Sequence, residues 1–402
     1  MPQWRRNLYV LWLAIFVSSV SWTMVMPFLP VFLGQLGLTQ GVEFWSGLII
    51  AVSSACSMVV SPVWGAVGDR YGRRLMLLRG GVFLTLAYVL IIFVKTPTQL
   101  LLVRMMVGLL TGFVPMAIAL VGVSTPQAEV AVALGVVQTA WPSGAIIGPI
   151  IGGAALDLIG VRGSSLVSAV LMAIVTLLVM LAVREDFTRP DEVRRSILSD
   201  LRVAAGHRLL MSVVLINAIS SAAVMALEPV LVPFVQQIAG QGAPGWLAGL
   251  LYAIPGGAFI LMAPWWARRG DRVGYARTVA TGMIFSGLLF IPQALVRSPW
   301  QLGVLRVGFG VTGAAIGPGI AALLATQVPR GLRGRAFGLN QAAAAAGSIF
   351  GPLFGGWIGS YISARMVFVL IALLYLAGFA WVKWVVEPRV GPPEVRVIEG
   401  SG

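Results

Sequence analysis

Long uninterrupted apolar runs separated by short polar breaks dominate this chain, and no stretch alternates apolar and polar positions as a half-buried strand does. A helix needs about 20 apolar residues to cross the hydrocarbon core of a bilayer. Runs bounded by Arg, Asp or Glu predict twelve such helices, over 8–33, 44–67, 75–94, 98–123, 130–156, 163–183, 209–235, 245–267, 278–296, 299–327, 336–360 and 366–386. The first run follows Arg5 and Arg6 as a signal peptide would, but it is long and other spans follow, so it reads as an uncleaved helix. One hydrophilic stretch, 184–208, divides the chain into a six-helix half, 1–183, and a second, 209–386; it reads as a cytoplasmic linker carrying a short amphipathic helix. The tail 387–402 is rich in Pro and Gly and reads as disordered.

Composition agrees with this pattern. Of 402 residues, 58% are hydrophobic and 10% charged, with a mean hydropathy of +0.92, which excludes a soluble enzyme. The fold class expected is therefore an all-α membrane protein. The net charge of +14 gathers into no arm or stripe that suits nucleic acid. Of 28 Lys and Arg, 22 fall at the N-terminus, alternate loops and the span ends beside them, the central stretch and the tail side, four (Lys95, Arg162, Arg297, Arg365) fall on the other side, and Arg104 and Arg306 lie deep within spans. That asymmetry is the positive-inside pattern and predicts both termini in the cytoplasm, with the basic face towards anionic lipid. Cys56 and His207 are the only cysteine and histidine, so disulfide, metal and His-based chemistry have no ligands to work with, and no cofactor is expected.

The halves repeat each other. At an offset of 202, Gly68-Asp69-Arg70 meets Gly270-Asp271-Arg272, Arg104 meets Arg306, and Pro27 meets Pro229. At 203, Pro126 meets Pro329, Gln138 meets Gln341, and Gly148-Pro149 with Gly152-Gly153 meets Gly351-Pro352 with Gly355-Gly356. Two six-helix repeats around a central axis form a transporter architecture, with substrate bound between them near the midplane.

On these residues the chain resembles the major facilitator superfamily. Gly65-Ala66-Val67-Gly68-Asp69-Arg70-Tyr71-Gly72-Arg73-Arg74 is similar to the signature loop between the second and third helices. Arg104 with Gly108 and Gly112 resembles the fourth-helix motif. Gly144, Gly148, Pro149, Gly152 and Gly153 resemble the fifth-helix motif of antiporters, in particular of the drug:proton antiporter-1 branch. The resemblance implies twelve transmembrane helices in two six-helix pseudo-repeats, and a secondary transporter of the inner (cell) membrane that exports amphipathic drugs or related small molecules by proton antiport. It also implies that Asp69, with Arg70, Arg73, Arg74 and Asp271, forms a cytoplasmic clasp, and that the fifth-helix glycines and proline seal an outer gate. The partners expected are a small-molecule substrate, protons and the bilayer. One chain holds both halves, so a monomer suffices.

Three ionisable residues lie clearly inside spans, away from their ends: Arg104, Glu228 and Arg306. Such groups are costly in a bilayer and mark function by default. At about 1.5 Å per residue they lie at similar depths, and Glu228 is placed to exchange a proton, a substrate or an Arg partner. The first helix, Ser21-Trp22-Thr23-Met24-Val25-Met26-Pro27, carries no acid, and Met26 occupies the repeat position of Glu228. Trp22, Met26, Phe113, Met116, Gln138, Trp141, Met225, Tyr252, Asn340 and Gln341 are the candidate cavity residues, adaptable apolar and amide groups of the kind a promiscuous site needs. Should the two arginines face the cavity, an anionic substrate becomes equally reasonable. Rival readings are a uniporter or an exporter of an anionic metabolite, a membrane-embedded enzyme, and a non-transporting scaffold. Gly308-Phe309-Gly310-Val311-Thr312-Gly313 spells a dinucleotide fingerprint but lies inside a span, with no preceding strand. No Gly-Lys pair exists to build a P-loop.

Overall fold

The computed structural model describes residues 1–185, 187, 207–240, 242–328 and 332–390. Among them every regular element is helical. The amphipathic helix expected in the central stretch and the tail beyond 390 lie outside the described residues.

Among the described residues ten helices are long and apolar enough to cross a membrane. One of these, Val130–Ala182, is two spans in series. Gly160 interrupts it at φ 68°, ψ 178°, backbone that only glycine adopts readily. Before the break, Gly144 and Gly152 face residues 16–19 and Met24 in ascending order; after it, Ser168 meets Ser21 and Gln3 meets the Ala182 carbonyl, in descending order. The two pieces therefore run in opposite directions along the first helix. Tyr275–Gln293, less apolar because it opens on Tyr275 and Arg277, completes twelve spans.

We number these α1 (Gln3–Gln35), α2 (Val42–Tyr71), α3 (Arg73–Phe93), α4 (Pro97–Ser124), α5 (130–159), α6 (161–182), α7 (208–239), α8 (Gly245–Val273), α9 (Tyr275–Gln293), α10 (Pro299–Gln327), α11 (Arg333–Tyr361) and α12 (Ala364–Arg389). The last helix runs past 386 through a π turn and a 3-10 turn, Glu387–Arg389, where Glu387 meets Arg277 at 2.8 Å and Lys383 at 3.7 Å.

The repeat read from sequence recurs in the contacts. Thr96 and Ser298 cap α4 and α10 by accepting from the Gln99 and Gln301 backbone N–H groups. Gln99 and Gln301 reciprocate by accepting from the Lys95 and Arg297 N–H groups. Trp64 and Trp266 donate from their indoles to the Leu109 and Val311 carbonyls, each at 2.7 Å. Glycines carry the helix packing: Gly108 and Gly310 lie against the Ser53 and Pro255 carbonyls, leaving no room for a Cβ. Each half has its own apolar core, and Phe28 of α1 reaches into that of the second half.

The halves meet at the face opposite the termini. There the start of α2 packs on the end of α11, and the end of α5 on the start of α8. Ile49 and Leu251 are buried on that side, whereas Val59 and Val63 of α2 and Leu261 and Trp265 of α8, towards the termini, are exposed. The cleft between the halves thus opens on the face that bears the termini.

Candidate functional site

Two prolines break the helices that line the centre. Pro27 turns α1 into a 3-10 segment over Met26–Phe28. Pro229 has no N–H for the Met225 carbonyl, and the chain from Leu227 to Val230 leaves the α-helix, with the Glu228 N–H reaching back to Met225 at 3.2 Å. Glu228 is held at this break, 8% exposed. Its carboxylate interacts with the Tyr252 hydroxyl of α8 and, through space, with the Arg104 guanidinium of α4.

The two buried arginines occupy equivalent repeat positions but differ in their partners. Pro255 in α8 cannot donate to the carbonyl four residues back, which is that of Leu251. Arg306 Nε fills the vacancy at 2.5 Å. In the first half the residue equivalent to Pro255 is Ser53, whose N–H leaves the Ile49 carbonyl inside its helix, and Arg104 has no such acceptor. Arg104 is 1% exposed, its guanidinium lies 5.4 Å from the Trp22 ring centre, and its Nε and Nη2 have no hydrogen-bond partner. Arg306 Nη1 is likewise unpartnered. Among the described residues no carboxylate lies within 4.0 Å of either arginine.

A cavity of about 400 Å³ opens between α7, α8, α10, α11 and α12 of the second half. Asn217, Ser220, Met225, Phe309, Gly317 and Tyr375 are among its lining residues, and no ionisable acid or base is. The Ser220 hydroxyl has no hydrogen-bond partner among the described residues. Of the candidates read from sequence, Met225 lines this cavity, while Trp22 and Tyr252 lie beside the charged groups. Met26 is buried at the α1 break. Phe113 packs on Gly80 and Gly81 of α3, and Met116 on Gly68 of α2, inside the first half. Gln138, Trp141 and Gln341 are exposed, and the Asn340 carbonyl accepts from Asn217.

The fifth-helix motif divides its work by face. Gly144, Gly148 and Gly152 lie against α1, each too close for a Cβ. Gly153 and the Pro149 carbonyl instead face the other half, at Gly245 and Gly249 of α8. The second half mirrors this: Gly347, Gly351 and Gly355 lie against α7, and Gly356 and the Pro352 carbonyl face Glu43 and Gly47 of α2. Polar latches reinforce both contacts. Asp157 accepts from the Gly245 and Trp246 N–H groups at 2.7 and 3.2 Å, capping α8. Ser360 accepts from the Phe44 N–H at 2.8 Å and donates to Glu43 at 3.0 Å. Sequence reasoning missed Asp157, Glu43 and Ser360; the available signal was an acid or hydroxyl at the end of a span, next to the glycine motif.

In the signature loop Gly72 takes φ 98° between α2 and α3, as Gly274 takes φ 92° between α8 and α9. Gly65 has open space beside it. Asp69 pairs with Arg73 one turn on, at 2.6 Å, and Arg70 stacks on Tyr71. Arg74 donates to the Met180 carbonyl. The first turn of α3 is capped by Glu185, which follows α6 and accepts from the Arg73 and Arg74 N–H groups at 3.0 and 2.7 Å. In the second loop Asp271 accepts from the Tyr275 hydroxyl.

The sequence matches the family model described as Major Facilitator Superfamily over residues 11–268 and 213–400. It is 34% identical over 392 residues to the multidrug resistance protein MdtG of Serratia proteamaculans (strain 568), covering 96% of this chain and 95% of that one. It is 33% identical over 399 residues to the protein of the same name from Escherichia fergusonii, covering 98% and 97%. The crystal structure of a bacterial homologue of the human lysosomal transporter Spinster, inward-facing and unoccupied, superimposes with a TM-score of 0.78 at 16% identity, covering 95% of this chain and 96% of that one. The human organic anion transporter MFSD10 does so with a TM-score of 0.68 at 20% identity, over 95% and 100%.

Proposed function

This chain belongs to the Major Facilitator Superfamily of membrane transporters, and on that premise we propose that it exports amphipathic drugs or related small molecules across the inner membrane by proton antiport. The multidrug resistance proteins to which it is a third identical support the export reading. The excess of Lys and Arg on the termini face supports cytoplasmic termini, a cleft that opens inward and a closed contact that faces outward.

The observation that carries the proposal is a buried carboxylate between two halves whose described contacts gather at one face. Glu228 is the one acid at the depth of the cavity, held at the α7 break beside Tyr252 and within the field of Arg104. Its proton cancels the charge that makes the buried site costly, and its loss restores an ionised partner for the arginines. A carboxylate so placed binds a proton when the site faces outward and releases it when the site faces inward and substrate enters. Alternating access follows from a gate of glycine and proline backbones. The α2–α11 and α5–α8 contacts are close backbone contacts held by a few polar latches, and they part as rigid bodies. Their parting opens the outer side, and the Asp69 cluster then joins the halves on the inner side.

The experiment is export of a fluorescent amphipathic probe from proteoliposomes under an imposed pH gradient. Uphill transport in the parent protein and its loss in Glu228→Gln, with downhill exchange retained, supports the proposal. Uphill, gradient-driven transport in Glu228→Gln ends the assignment of Glu228 as proton carrier.

A further inference from the structure

The cavity and the ionised groups belong to the same three helices, one turn apart. On α7, Met225 lines the cavity and Glu228 follows it; on α8, Pro255 lines it and Tyr252 precedes it; on α10, Phe309 lines it and Arg306 precedes it. Each step is three residues, about 5 Å along a helix, and each leads towards the closed face. Arg104 reaches the same layer from the first half, since its charge acts on Glu228. The cavity therefore has uncharged walls and an ionised floor. The floor carries two guanidiniums and one carboxylate, a net charge of +1.

Three buried guanidinium nitrogens on that floor, Arg104 Nε and Nη2 and Arg306 Nη1, have no acceptor among the described residues. A buried donor without a partner is costly, and guanidinium groups pair best with planar or tetrahedral oxyanions. A cation placed there meets two like charges with only Glu228 to offset them. In the walls, Phe309 and Tyr375 offer aromatic faces, and the unpartnered Ser220 hydroxyl offers a donor to an uncharged acceptor.

We propose that walls and floor form one binding site for an amphipathic monoanion: a ring-containing apolar body in the second-half cavity, and a carboxylate, sulfonate or comparable oxyanion at Arg104 and Arg306. This rests on the transporter reading above and narrows its substrate class.

Two dansyl conjugates of similar bulk test it, dansylglycine as the monoanion and dansylcadaverine as the cation, with binding to the purified protein in phosphatidylcholine nanodiscs read by fluorescence. Dansylglycine is expected to bind at least tenfold more tightly. Arg104→Gln is expected to cost dansylglycine tenfold or more and to leave dansylcadaverine unchanged or improved, with Arg104→Lys in between. Gly317→Leu, which adds a side chain where nothing lies within 4 Å, is expected to weaken both probes. Dansylcadaverine binding as tightly as dansylglycine, or dansylglycine indifferent to Arg104→Gln, overturns the proposal. Loss of dansylglycine binding in phosphatidylglycerol nanodiscs assigns the anion site to a lipid headgroup and overturns the small-molecule assignment. Transport of the two probes separates this claim from the one beneath it. Gradient-driven export of dansylcadaverine alone keeps the exporter and sinks the anion site, whereas Arg104-dependent binding of dansylglycine without transport does the reverse.

Discussion

Arg306 donates through Nε to the Leu251 carbonyl at 2.5 Å, the acceptor that Pro255 leaves without its helical partner. The contact ties α10 to α8 through a backbone vacancy rather than through an opposite charge. Replacing Arg306 by Gln removes that donor and strands a buried carbonyl, at a cost of about 1–3 kcal/mol. Pro255→Ala restores the helical N–H and makes the arginine's donor redundant. Thermal unfolding in detergent is expected to show Arg306→Gln clearly destabilising in the parent and much less so in the Pro255→Ala background. Equal effects in both backgrounds would show that Arg306 does not serve the vacancy.

At the closed face, Asp157 caps α8 across the interface between the halves. A charged helix cap contributes about 1 kcal/mol, here only while the outer contact is made. Asp157→Ala is expected to shift the population towards the outward-open form by roughly fivefold at that energy. Spin labels on the outer ends of α5 and α8 would report the shift as a longer distance in double electron–electron resonance. An unchanged distance distribution would mean that the cap is ornamental to the gate.

Gly249 lies so close to the Pro149 carbonyl that a Cβ there collides with backbone, and Gly47 stands in the same relation to Pro352. Backbone cannot yield as a flexible side chain does, so Gly249→Leu holds the outer contact apart. The expected outcome is a folded protein, labelled readily from outside by a thiol reagent at a cysteine introduced near Tyr252, with transport reduced tenfold or more. Normal transport by Gly249→Leu would refute the gate.

The twelve spans, the division into halves and the repeat were legible because hydrophobic length and paired motifs such as Arg104 with Arg306 are written in one dimension. The fifth-helix glycines were legible as a packing stripe for the same reason. Their division of labour was not, since which of Gly152 and Gly153 meets α1 and which meets α8 depends on where two other helices lie. Phe113 and Met116 looked like cavity residues by their helix and depth, yet the α4 break at Gly112, φ 75°, sends them onto α3 and α2. The difference between the arginines was hidden too, although its cause, Pro255 against Ser53, stood in the sequence all along.

Glu185 offers the last prediction, at the inner end of the first half. It follows α6 and accepts from the Arg73 and Arg74 N–H groups at the start of α3, so it joins the approach to the central linker to the signature loop. Both bonds run from a carboxylate to a helix N-terminus, where negative charge is favoured, and Gln keeps one acceptor oxygen but loses the charge. Glu185→Gln is expected to cost about 0.5–1 kcal/mol and Glu185→Ala about 1–2 kcal/mol. Because Asp69 is occupied by Arg73 within the same loop, freeing the α3 start also loosens the geometry in which Asp69 must reach the second half when the inner side closes. The expected signature is a kinetic split, with transport slowed several-fold while probe affinity in the inward-open form stays within twofold of the parent. Affinity falling in step with the rate would place Glu185 in the binding site instead, and an unaltered rate would leave it a local cap of α3.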